Sequence, residues 1–74
     1  MAVYFMFSKK RSAPEIGTYR SYDIVAYDRL IDGPAAIIRD ATPDGDLAYR
    51  MVEAFNRLDL SPVHLKDVVL DMLE

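Results

Sequence analysis

His64 is the only histidine in the chain, and Asp67 and Asp71 follow it three and seven residues on. On a helix that spacing sets one imidazole and two carboxylates along one side, the raw material of a metal site or a general base. The set is incomplete. Structural zinc takes four donors, and the chain offers no second imidazole and no thiolate. Near a helix start a histidine is served as well by local backbone or carboxylate partners, and that structural role is the simpler reading. No nucleophile fares better. Cysteine is absent, no glycine-rich phosphate loop is present, and Ser8, Ser12, Ser21 and Ser61 have no base in a recognisable pattern. The expectation is a non-enzymatic protein with no catalytic residue, metal or cofactor.

A second chemistry lies near the front of the chain. Lys9-Lys10-Arg11 follows Tyr4, Phe5 and Phe7, and cations beside aromatic rings can hold phosphates and stack bases. The bland alternative is a solvated basic turn after a strand whose phenylalanines are core. Charge is uneven along the chain. Residues 1–39 carry six basic and four acidic side chains, residues 40–74 three and eight, for an overall −3. A basic front and an acidic back can orient a partner, while the acidic excess argues against general nucleic-acid binding.

These groups sit on few elements, because 74 residues make one small domain. Val3, Phe5 and Phe7 alternate with Tyr4, Met6 and Ser8, the period-2 pattern of a strand. Lys9 to Gly17 reads as a polar loop. Alternation resumes from Thr18 to Leu30, with Tyr22, Ile24 and Ala26 on one side and Ser21, Asp23, Val25 and Tyr27 on the other. Asp32-Gly33-Pro34 marks a turn, and Ala35 to Arg39 a short third strand. Thr42 followed by Pro43 predicts a helix cap, and Leu47, Ala48, Met51, Val52, Phe55 and Leu58 form its apolar stripe. Asp46–Arg50 and Glu53–Arg57 are favourably oriented i,i+4 pairs on it. Ser61-Pro62 repeats the cap signal for a second helix reaching Leu73. The predicted fold is α+β: a three-stranded antiparallel β-meander followed by a two-helix hairpin on one sheet face. Its expected core is Phe5, Phe7, Ile24, Ile38, Met51, Phe55, Val68 and Met72.

Two helices cover one face of such a sheet, and the other needs a partner or a covering segment. The alternation assigns Tyr4, Met6, Val25 and Tyr27 to that open face, while Val63 and Leu70 lie on the outer side of the second helix. These six are the candidate partner-binding residues, since exposed apolar surface in a small protein often marks an interface. The expected partner is a second copy of the chain or another protein. The alternative is a small nucleic-acid-binding regulator using Lys9 to Arg11.

The stretch Phe55-Asn56-Arg57-Leu58-Asp59-Leu60-Ser61-Pro62-Val63-His64-Leu65, continuing through Asp67-Val68 to Asp71-Met72-Leu73, resembles the C-terminal signature of a family of small bacterial proteins. That family carries only a domain-of-unknown-function label. Ser21-Tyr22-Asp23-Ile24 and Ile38-Arg39-Asp40-Ala41-Thr42 resemble its strand segments, with Asp23 standing where glycine is expected. The resemblance implies a bacterial origin and supplies no activity. No cysteine, no apolar window of about 18 residues and an N-terminal order opposite to that of a signal peptide make a soluble cytoplasmic protein the expectation.

Overall fold

Pairing with Tyr19 and Thr18 on the neighbouring strand carries the first strand further than its own polarity suggests. The second ends at Asp28, short of the expected Leu30. The structure, a computed structural model, describes residues 2–73. Strand β1 covers Ala2–Ala13 and β2 covers Gly17–Asp28, pairing from Ala2 opposite Asp28 to Ala13 opposite Gly17. Lys9 to Ala13, expected in a loop, is therefore strand, and the turn shrinks to Pro14-Glu15-Ile16. Gly17 closes it at φ 76°, a backbone region that glycine enters without penalty. Strand β3, Pro34–Thr42, pairs antiparallel with β2, so the sheet order is β1-β2-β3. Helix α1 (Gly45–Arg57), a 3₁₀ turn (Pro62–His64) and helix α2 (Leu65–Leu73) complete the α+β fold.

The first helix starts later than its proline signal suggests. Thr42 ends β3, and its hydroxyl accepts the Asp44 N–H at 3.0 Å. The cap is Asp44, whose carboxylate accepts from the Asp46 and Leu47 N–H groups at 3.0 and 3.2 Å. A carboxylate there satisfies orphan donors and faces the positive end of the helix dipole, which a hydroxyl does less well. Asp44→Ala is expected to cost about 1 kcal/mol in urea denaturation. Gly45 opens the helix against Tyr22, where a Cβ would lie 2.9 Å from the phenol oxygen. At the far end Leu60 N–H reaches the Phe55 carbonyl and Asp59 N–H the Asn56 carbonyl, a Schellman closure with Asp59 at φ 52°. Ser61 precedes the 3₁₀ turn without a side-chain cap bond. Neither Asp46–Arg50 nor Glu53–Arg57 closes to an ion pair among the described residues.

The core lies between one sheet face and the two helices. Tyr4, Ile24, Ala26, Ala48, Met51, Phe55, Leu65 and Val69 are buried in it, with Met6, Ile38 and Val68 packed at its margin. Ile24, Met51 and Phe55 match expectation. Phe5 and Phe7 do not: they are 46% and 48% exposed, while Tyr4 is 1% exposed. The faces of β1 are thus the reverse of those expected. Ladder geometry explains the reversal, because directly paired residues share a face. Tyr4 stands opposite Ala26 and Met6 opposite Ile24, both core residues, whereas Phe5 stands opposite Val25 and Phe7 opposite Asp23. Met72 is also largely outside the core, and Leu58, after the last turn of α1, points to solvent.

Candidate functional site

β1 and β2 build the uncovered side of the sheet from the positions that alternate with the core. Val3, Phe5 and Phe7 on β1 lie beside Tyr27 and Val25 on β2, and Ile37 on β3 lies beside Val25. Val25, in the central strand, is buried between its neighbours; the others are open. The Phe5 and Tyr27 rings meet edge to face at a centroid distance of 5.7 Å. Aromatic side chains carry about 150–250 Å² each. At 46%, 48% and 39% exposure, Phe5, Phe7 and Tyr27 leave on the order of 250 Å² of ring surface open. Val3 and Ile37 extend this patch toward the size typical of functional apolar surfaces.

The same face changes character toward the hairpin turn. Arg11 Nε donates to Ser21 Oγ at 2.8 Å, and Arg11 Nη2 donates to Asp23 Oδ1 at 2.9 Å. The Asp40 N–H also donates to Asp23 Oδ1, at 2.8 Å. Asp40 has φ 53° and sits where the β2–β3 ladder slips, so the Asp23 carboxylate serves a backbone donor that a bulge leaves outside the ladder. Burial alone would raise the Asp23 pKa. The two donors and the positive charges of Arg11 and Lys9 outweigh it, and hold the carboxyl below its ordinary value. The face is therefore apolar over one half and ends in a neutralised ion pair.

Of the six candidate partner residues, Val25 and Tyr27 lie on the open face. Tyr4 and Met6 are turned into the core side, a correction that follows from the β1 register. Val63 and Leu70 are exposed, 78% and 51%, and Leu70 faces the space between α2 and β3. Val3, Phe5, Phe7 and Ile37 were not legible as surface, since apolar residues alternating with apolar residues give no sign of direction.

Tyr4 has a structural role instead. Its N–H donates to Asn56 Oδ1 at 2.8 Å, and Asn56 Nδ2 donates to its carbonyl at 3.1 Å. One amide side chain thus imitates the next strand along the outer edge of β1 at this residue. The Tyr4 hydroxyl donates to the Leu60 carbonyl at 2.6 Å. Burial and the charge of Asp59 push the phenol pKa up, so the hydroxyl stays a donor. Nothing in the sequence pattern distinguishes Asn56 for this duty; it is a polar residue at the edge of an apolar stripe.

His64 lies exposed in the 3₁₀ turn. Among the described residues no three histidine or carboxylate side chains gather to hold a metal ion. Lys9 and Lys10 are exposed on β1, and Arg11 is engaged with Asp23. No described helix is long and apolar enough to cross a membrane. No protein-family profile, curated protein or solved structure matches the chain.

Proposed function

We propose that this chain is a non-enzymatic interaction module that pairs with a second copy of itself through its open sheet face. The observation that carries this reading is the exposure of Phe5, Phe7 and Tyr27 on a face that no described element covers. Two short helices can blanket only one side of three strands, so the apolar half of the other side stays in water in a monomer. Stacking two such faces about a two-fold axis sets apolar surface against apolar surface at the spacing of packed sheets, about 10 Å. Each Å² removed from water contributes roughly 25 cal/mol, offset by the entropy of association. A bacterial origin and a cytoplasmic setting are proposed with it.

A second reading rests on one specific feature. Phe5, Phe7 and Lys9 project from alternate positions on the same side of β1, as a stacking platform for single-stranded nucleic acid would require. The acidic balance of the chain weighs against it. Sedimentation of the wild type and of Phe7→Lys/Tyr27→Lys separates the two. Pairing predicts a dimer that the double variant converts to a folded monomer. A wild-type monomer that binds single-stranded oligonucleotide, and loses it on Phe5→Ala/Phe7→Ala, transfers the face to the second reading.

A further inference from the structure

A different surface carries an inference of its own. The two edges of the sheet are treated differently: Asn56 occupies the outer edge of β1 at Tyr4, while the outer edge of β3 has no such occupant. Among the described residues, no side chain and no backbone group outside the β2 ladder bonds to Ala35–Arg39. An edge strand points alternate N–H and C=O groups away from its sheet, and these are ready to pair with an added strand. Beside this edge α2 leaves a groove of about 380 Å³. Its walls are Ile38 and the adjoining edge of β3 on one side and Val69, Leu70 and Leu73 on the other. Leu70 and Leu73 are about half exposed there, apolar surface that the monomer does not use.

Charge decides the occupant. Arg39 and Lys66 both line the groove, and neither has an ion-pair partner among the described residues. The one acid in the lining, Asp40, is engaged elsewhere: its carboxylate accepts from the Tyr19 hydroxyl at 3.4 Å and stands 3.9 Å from Arg11 Nε. The lining thus carries two cations against one acid, a net positive charge in a chain that is acidic overall. We infer that the β3–α2 groove binds an extended acidic segment of another protein, added as a fourth strand along β3. Its main chain pairs with the Ala35–Arg39 edge. Alternate side chains are apolar and enter between Ile38 and Leu70, and the intervening acids face Arg39 on the other side of the strand. The positive charge of Lys66 on α2 attracts the segment as a whole. A β3-to-β3 pairing of two copies is disfavoured, because it would bring two sets of these cations to one seam.

The test uses fluorescein-labelled decapeptides of alternating valine and glutamate, or valine and lysine, titrated with the full chain and read by fluorescence anisotropy. The glutamate peptide should bind about tenfold more tightly than the lysine peptide. Arg39→Glu/Lys66→Glu, both at exposed positions, should invert that order, and Lys66→Gln alone should reduce it. Hydrogen exchange should slow at Ala35–Arg39 in the complex. Equal affinity for the two peptides overturns the inference, as does no binding up to about 1 mM. So does a preference unmoved by charge reversal, or protection that falls on Phe5 and Phe7. Because Phe7→Lys/Tyr27→Lys leaves the groove lining untouched, loss of self-association and loss of peptide binding are separate outcomes.

Discussion

Phe55→Ala will remove about 3–5 kcal/mol of stability, whereas Phe7→Ala will remove no more than about 1. Both residues are phenylalanines on periodic segments, and only their placement differs. Phe55 is 2% exposed and meets the Tyr4 ring edge to face at 5.4 Å. Truncating it leaves a cavity walled by the core and forfeits the ring pair. It also loosens Tyr4, whose two backbone groups and hydroxyl are held by Asn56 and Leu60. Phe7 already gives about half its surface to water and stands beside Asp23. Urea midpoints with unchanged slopes will show the difference. Equal losses for the two substitutions would mean that the strand faces are assigned wrongly.

The second large effect is at Asp23. Asp23→Ala will cost about 2–3 kcal/mol, because it strands the Asp40 N–H and leaves Arg11 only the more distant Asp40 carboxylate. The figure lies below that for a fully buried pair because the Arg11 side chain keeps 27% of its exposure to solvent. Asp23→Asn will cost less, since an amide oxygen can still accept from Asp40. The pH dependence follows from the depressed pKa of the folded state. A carboxyl that holds its proton less tightly when folded contributes stability above its unfolded pKa of about 3.9. That contribution drains away as pH falls through the lower, folded value. Acid unfolding below about pH 4 will therefore be shallower in Asp23→Asn than in the wild type. Parallel acid profiles for the two proteins would remove Asp23 from this role.

Much of the architecture was legible. The alternation around Ile24 and the stripe through Met51 and Phe55 identify a strand and a helix, and their inward residues, Leu58 apart, are inward. Turn chemistry at Asp32-Gly33 separates β2 from β3, where Gly33 takes φ 111°. What failed did so for identifiable reasons. β1 is apolar on both faces, so its period shows a strand without showing which side is in. Alternation alone therefore places Phe5 and Phe7 inside as readily as Tyr4 and Met6. Tyr4 belongs inside because its hydroxyl finds the Leu60 carbonyl, 56 residues away. Thr42-Pro43-Asp44 offers two capping side chains in three residues, and the later one is used because β3 extends through Thr42. Arg11 sits in a polar stretch that reads as a loop, and its diagonal contact with Asp23 appears only once β1 extends through it. An acid inside β2 then looked like a solvent-facing residue when it is a nearly buried one.

The Phe5–Phe7–Tyr27 face is proposed as the surface at which the chain meets a second copy, and a dilution series followed by NMR of the aromatic rings can decide it. Between micromolar and millimolar protein, the Phe5, Phe7 and Tyr27 ring signals should move together along one binding curve, while Phe55 stays fixed. The midpoint should agree with the monomer–dimer constant from sedimentation. Ring signals of Phe5 and Phe7 that do not change across that range, in a protein that sediments as a monomer throughout, would contradict it.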